Sequence, residues 1–74
     1  MNNYDTPLDL LRHNIGQPIS VRLRNTAELE GKLIGYDEHL NMMIDEATIR
    51  KDGNQQYRNL VYLRGDTIMV VGKK

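Results

Sequence analysis

Three polar side chains of distinct chemistry occupy alternate positions in one short stretch, Asp37, His39 and Asn41. In an extended chain this spacing places all three on the same side. An imidazole offers a flat face for base stacking, and a primary amide pairs a donor with an acceptor, as the edge of uracil or another pyrimidine requires. Asp37 can orient Asn41 by accepting hydrogen bonds from its amide or from the backbone. An ordinary polar turn explains the same residues and, from this pattern alone, is the simpler interpretation.

A second candidate group is Arg64-Gly65-Asp66, which follows an apolar segment. Glycine lets the backbone turn with no side chain in the way, and a guanidinium beside it can stack on a base or meet a phosphate. The alternative is a surface arginine paired with Asp66 in a hairpin. Both groups offer flat faces near the ends of predicted strands, so together they favour a ligand site more than either does alone.

The elements that position these residues must come from a small, single domain spanning residues 1–74. The chain contains no cysteine, phenylalanine or tryptophan, so we expect an aliphatic core without a disulfide or thiolate metal site. So short a chain supports only a marginal core, which favours self-association.

Lys+Arg and Asp+Glu are equal at 10 each, so nucleic-acid binding must rely on a local patch. No apolar run approaches a membrane span and the N-terminus is no signal peptide, so we expect no membrane partner and a cytoplasmic location, or a nuclear one in a eukaryote.

The hydrophobic pattern changes from helical to alternating at Pro18. Thr6 and Pro7 suit the start of a helix. Gly31 and Gly35 lie inside the longest strand, where glycine typically marks a bulge or a sharp bend. The fold class we predict is mostly β, with a short N-terminal helix followed by a strongly bent five-stranded antiparallel sheet that forms a small open barrel. The predicted ranges are a helix at 7–14, strands at 18–24, 27–37, 40–49, 59–64 and 67–71, and flexible tails at 1–5 and 72–74.

The last two predicted strands are apolar on both faces. Ile68 and Val70 are expected to point inward, which leaves apolar residues on the outer side as well. Exposed apolar edges are a liability for a monomer. We therefore expect the fourth and fifth strands to pair between subunits. The outward residues are Leu60, Tyr62, Met69 and Val71.

Two motifs in this order resemble the Sm and Sm-like (LSm) family. The first runs from Pro18 to Ile44 and includes Gly31, Gly35-Tyr36-Asp37 and His39-Leu40-Asn41. The second is Leu60 to Asp66 followed by Thr67 to Val71, and the two are joined by a variable linker, residues 47–58. Pro7 to Leu11 also resembles the family's N-terminal helix, so that the resemblance covers residues 7–71.

The resemblance implies a subunit of a six- or seven-membered ring, closed by pairing of the fourth strand with the fifth strand of the next subunit. Such rings bind single-stranded, uridine-rich RNA around the inner pore and serve as RNA chaperones or ribonucleoprotein scaffolds in RNA processing. By the same resemblance His39 and Arg64 sandwich a base, with the arginine from the same or the adjacent subunit. Asn41 reads the base edge, Asp37 holds Asn41, and Gly65 and Asp66 complete the pocket.

Other functions have less support in the sequence. A structural ring-assembly module for protein partners, without specific RNA recognition, is the main alternative. An enzyme using His39 and Asp37 as an acid–base pair lacks a neighbouring nucleophile, so we expect no catalysis. Two histidines without cysteine form no metal-ligand spacing, and we expect neither metal nor cofactor. Arg22, Arg24 and Lys32 form either a second basic patch for RNA or, as we favour, a solvated face. Identical and mixed rings both stay open.

Overall fold

Residues 6–74 are described by a computed structural model, in which one helix precedes five strands. The strands form one antiparallel sheet in the order β4-β3-β2-β1-β5, so β4 and β5 lie at its two free edges. The predicted fold class is confirmed, whereas the predicted tail at residues 1–5 lies outside the described residues. The elements are α1 (Pro7–Arg12), β1 (Pro18–Leu23), β2 (Glu28–Tyr36), β3 (Met42–Lys51), β4 (Asn54–Leu63), a 3₁₀ turn (Gly65–Thr67) and β5 (Ile68–Lys73).

The helix starts as predicted and ends two residues early. The Thr6 hydroxyl accepts a hydrogen bond from the Asp9 amide at 3.2 Å, and Pro7 occupies the first helical turn. The helix stops at Arg12 because the buried Asn14 side chain donates to the Leu10 carbonyl at 2.7 Å and takes up a helical acceptor. Within residues 6–74, no helix has the length and apolar character that crossing a membrane requires.

The sheet bends at Gly31 and Gly35, as the sequence predicted. The register between β2 and β3 shifts once between Glu30 and Lys32 and again between Leu33 and Gly35. At Gly31 the strands come so close that an added Cβ would lie 2.5 Å from Cγ2 of Ile44. These bulges curl the sheet around its own core. The core is aliphatic apart from one methionine and comprises Leu11, Ile19, Val21, Leu29, Leu33, Met42, Ile44, Ala47 and Leu63.

The hairpin of β3 and β4 is much longer than predicted. β3 continues to Lys51 and β4 begins at Asn54 rather than at residue 59, so most of the expected linker is paired strand. The predicted turn is present, and its central residues Asp52 and Gly53 both have positive φ, as a two-residue hairpin turn requires. The prediction failed because β4 is exposed on both faces from residue 54 to residue 60, where no apolar alternation marks a strand.

Two neighbouring residues of β5, Val70 and Val71, face the opposite sides of the sheet from those predicted. Val71 pairs with the buried Val21 and is half-buried, whereas Val70 is exposed. The prediction that Val70 points inward and Val71 outward is wrong because the register with β1 shifts between Arg22 and Leu23, and such a shift reverses the faces of the residues beyond it. β5 also runs to Lys73, so part of the predicted 72–74 tail is strand.

Candidate nucleic-acid interface

The turn between β2 and β3 is held together by a single carboxylate. Oδ1 of Asp37 accepts hydrogen bonds from the backbone amides of His39 and Asn41, at 2.8 and 3.1 Å. The Leu40 amide donates to the Asp37 carbonyl at 3.1 Å and closes the turn. β3 therefore begins at Met42, two residues later than predicted, and the turn presents His39 and Asn41 at its corner.

The amide of Asn41 is fixed in one orientation by partners from two segments. Its Nδ2 donates to Oδ2 of Asp37 at 2.9 Å, and its Oδ1 accepts from the backbone amide of Gly65 at 2.7 Å. Rotating the amide by half a turn would face a donor with a donor and an acceptor with an acceptor. A primary amide has two N–H groups and two oxygen lone pairs. One N–H group and one oxygen lone pair therefore stay free, so this half-buried amide offers a donor and an acceptor side by side.

Gly65 is required because two backbones meet at this point. A Cβ on Gly65 would lie 3.0 Å from the carbonyl carbons of both His39 and Leu40, and closer still to the His39 oxygen. A side chain at residue 65 would therefore force the two segments apart. Its absence lets residues 64–66 lie directly against the turn at 37–41, although more than 20 residues separate them in the chain.

His39 and Arg64 occupy these two adjoining segments and are both exposed, with 76% and 73% of their side-chain surface accessible. The guanidinium of Arg64 forms an ion pair with Asp66 at 3.0 Å. That pair is the one expected for a surface arginine, and the side chain stays largely exposed. Asp66 is thus the ion-pair partner of Arg64, and among residues 6–74 its side chain makes no hydrogen bond with the Asn41 amide.

Arg24, which the sequence pattern assigned with Arg22 and Lys32 to a solvated face, instead lies beside this site. Its Nε donates to the Asp66 carbonyl at 3.0 Å, and its backbone amide donates to the Thr67 carbonyl at 2.9 Å. A groove of about 550 Å³ has Arg24, Tyr62 and Arg64 in its lining. Arg22, in contrast, pairs with Glu28 at 3.0 Å, as expected of a solvated face. The available signal was the position of Arg24 at the end of β1, one residue beyond the pairing of Leu23 with β5.

The electrostatics of the turn favour an ionised Asp37. The hydrogen bond from the Asn41 side chain and the backbone amides of His39 and Asn41 lower the pKa of Asp37 from its ordinary value near 3.8. The carboxylate is thus a permanent acceptor at neutral pH. Within residues 6–74, His, Asp and Glu side chains nowhere gather into a group of three that could hold a metal ion.

The free edges of the sheet carry exposed apolar side chains. On β4 they include Leu60 and Tyr62, which are 54% and 64% exposed, and Tyr57, which is 62% exposed. On β5 they are Met69 and Val70, at 63% and 58%. Three of the four residues predicted to face outward are therefore exposed, with Val70 in place of Val71. Such edges are suited to strand pairing with another chain.

A family model described as the LSM domain matches residues 9–73. The chain belongs to the Sm-like (LSm) family. An snRNP Sm-like protein of Methanosarcina acetivorans is 38% identical over 66 residues, which span 88% of this chain and 92% of that protein. A Methanococcoides burtonii protein of the same description is 40% identical over 67 residues, with the same coverage.

Solved structures of this family have the same fold. The Sm protein of Pyrococcus abyssi, solved in complex with a uridine heptamer, has a TM-score of 0.87 and 30% identity, covering 95% of this chain and 100% of that one. A heptameric archaeal Sm protein has a TM-score of 0.80 and 30% identity, covering 86% of this LSm chain and 94% of its own. The SmAP1 heptamer of Pyrobaculum aerophilum, at 28% identity, has a TM-score of 0.85 and covers 97% of both chains.

Proposed function

We propose that this chain is a subunit of a seven-membered ring that binds single-stranded, uridine-rich RNA at its inner pore. The ring acts as an RNA chaperone or ribonucleoprotein scaffold and catalyses no reaction. The observation that carries the proposal is the fixed amide of Asn41, which keeps one donor and one acceptor free between the segments that bear His39 and Arg64.

The free groups of Asn41 favour uracil over cytosine once stacking fixes which face of the base lies in the site. Uracil presents its N3–H donor beside a carbonyl acceptor, whereas cytosine presents an N3 acceptor beside an amino donor. A freely rotating amide would satisfy either base. An amide held by Asp37 on one side and Gly65 on the other can satisfy only the base whose donor and acceptor match its fixed order. Stacking on the imidazole and guanidinium faces, at about 1–3 kcal/mol per base, supplies affinity for every base alike.

Ring closure is supported by the topology of the sheet. β4 and β5 lie at opposite ends of the strand order, and both carry exposed apolar residues. Pairing β4 of one subunit with β5 of the next is a head-to-tail contact, which generates a closed ring when the rotation permits. The heptameric relatives indicate seven as the number of subunits. Repetition of a modest site around the ring then gives high avidity for a run of uridines.

The absence of catalysis is also part of the proposal. Asp37 is an unsuitable general base at neutral pH because its pKa is lowered and its oxygens already accept three hydrogen bonds. Neither serine, cysteine nor lysine occurs between residues 35 and 44 to act as a nucleophile. A cytoplasmic location is the corresponding proposal for a protein that acts on RNA.

Titration of the purified ring with oligo-uridine and oligo-cytidine of equal length, at one fixed salt concentration, tests the function. We expect a clear preference for oligo-uridine. Asn41→Ala should remove most of that preference, and Arg64→Ala should weaken both ligands. Lys51→Ala removes an exposed positive charge at the end of β3 remote from the 37–41 turn; it is the matched control and should change neither. A ring that binds both ligands equally, with or without Asn41, would overturn the assignment of the base site. A ring that binds neither ligand would instead indicate a scaffold for protein partners.

A further inference from the structure

Leu40 connects the two residues that bear the exposed imidazole and the fixed amide, and its backbone conformation is unusual. Its φ is +67°, in the left-handed region that aliphatic residues rarely adopt. Any relaxation of Leu40 toward ordinary φ values would rotate His39 and Asn41 relative to each other. Its amide donates to the Asp37 carbonyl at 3.1 Å, which closes the turn immediately before this residue. The geometry of the base site therefore requires something that holds Leu40 in place.

The side chain of Leu40 provides that anchor. It is half-buried and packs against the core. On its outer side it lines a groove of about 420 Å³ together with Pro7 and Leu10 of α1 and residues 68–71 of β5. Because β5 is a free edge of the sheet, this groove runs along the edge to which β4 of a second subunit would add.

We propose that Leu40 is a positioning residue of the base site, and that a second copy of this chain completes its anchorage by docking β4 over the groove. The occupant is a second copy because β4 is the opposite free edge and exposes Leu60 and Tyr62, whose apolar character matches the groove. The inference rests on the proposed ring and deepens it. It predicts that a subunit in the ring binds a single uridine more tightly than an isolated subunit.

The test uses uridine 5′-monophosphate, which is too short to bridge two subunits, so avidity cannot contribute. Affinity is measured by NMR titration of rings whose integrity is verified by native mass spectrometry. Leu40→Met keeps an apolar anchor of similar volume and should bind within about twofold of the wild type. Leu40→Ala and Leu40→Gly should bind about fivefold to tenfold more weakly, as expected when one hydrogen bond to the base is no longer in register.

The glycine variant separates anchorage from backbone strain. Glycine adopts positive φ freely, so if conformational preference alone positioned the site, Leu40→Gly would bind at least as well as the wild type. Equal binding by the wild type, Leu40→Ala and Leu40→Gly would overturn the role of Leu40. A wild-type ring that does not distinguish uridine from cytidine would overturn the proposed function instead.

A second measurement tests the contribution of the neighbouring subunit. Leu60→Lys places a charge on the β4 edge, opposite Asp45 of its own sheet, and should favour the monomer. The monomer should bind uridine 5′-monophosphate about fivefold to tenfold more weakly than the ring. Adding Leu40→Ala to the monomer should then have little further effect. The monomer could also bind more weakly only because it lacks Arg64 of the adjacent subunit. In that case Leu40→Ala would not change the affinity of the ring for uridine 5′-monophosphate, and that result would contradict the proposal.

Discussion

Replacing Gly65 with alanine should damage the base site by separating two backbones. The new Cβ would lie 3.0 Å from the carbonyl carbons of His39 and Leu40. Carbon atoms pack best at about 3.5–4.0 Å, so the segments must move apart by at least about 0.5 Å. The hydrogen bond from the Gly65 amide to Asn41, now 2.7 Å, would lengthen to about 3.2 Å or beyond, the outer limit for such a bond.

The expected loss follows from these two changes. Overpacking costs about 1–3 kcal/mol, and the weakened hydrogen bond costs about 1 kcal/mol more. The melting temperature at a fixed protomer concentration should fall by about 10 °C or more, since each kcal/mol corresponds to about 4–8 °C in a domain of this size. Because the acceptor side of the Asn41 amide is released, the preference for oligo-uridine over oligo-cytidine should also decrease, by about fivefold per site.

Gly35→Ala is the matched control for this experiment. An added Cβ at Gly35 would meet only Met43, at an ordinary distance of 3.9 Å. Its stability and its base preference should stay close to those of the wild type, or the stability should rise slightly because alanine restricts the unfolded chain. If Gly65→Ala and Gly35→Ala give the same melting temperature and the same selectivity, the close approach of the two segments does not determine the site.

Further predictions concern the carboxylate and the bend. Asp37→Asn can still accept the hydrogen bonds from the backbone amides of the turn, but its amino group would then face the amino group of Asn41. In the same titrations, affinity for oligo-uridine should therefore fall more than affinity for oligo-cytidine. The pKa of Asp37 is lowered on folding, so the stability it contributes is present above about pH 3.8 and is lost as the pH falls through the folded value. Melting curves of the wild type and Asp37→Asn should therefore differ at pH 7 and converge in acid. Gly31→Ala would bring a Cβ to 2.5 Å from Ile44, and should destabilise the fold by about 1–3 kcal/mol in denaturant titrations, whereas Gly35→Ala should not.

The sequence predicted the elements whose signals are local. Thr6 and Pro7 marked the helix start, Gly31 marked the bend, and the spacing of Asp37 and Asn41 suggested that one orients the other. Contacts between remote segments had no such signal. The bond from Gly65 to Asn41 depends on how the chain crosses itself, and the reversed faces of β5 depend on a register shift against β1. The long β4 was missed because its exposed half lacks the apolar alternation that identifies a strand.

The charges of the chain indicate how such a surface can select RNA. Acidic partners lie within hydrogen-bond distance of Arg22, Arg50, Arg64 and Lys74, so much of the basic charge is already compensated. A neutral chain of this kind gains little affinity from phosphates alone. In the proposed function, recognition therefore relies on the base, through stacking on exposed faces and the fixed order of one donor and one acceptor on Asn41. Because base contacts specify sequence whereas phosphate contacts only position the strand, the proposed pairing of a compensated Arg64 with a fixed amide favours selectivity over general affinity.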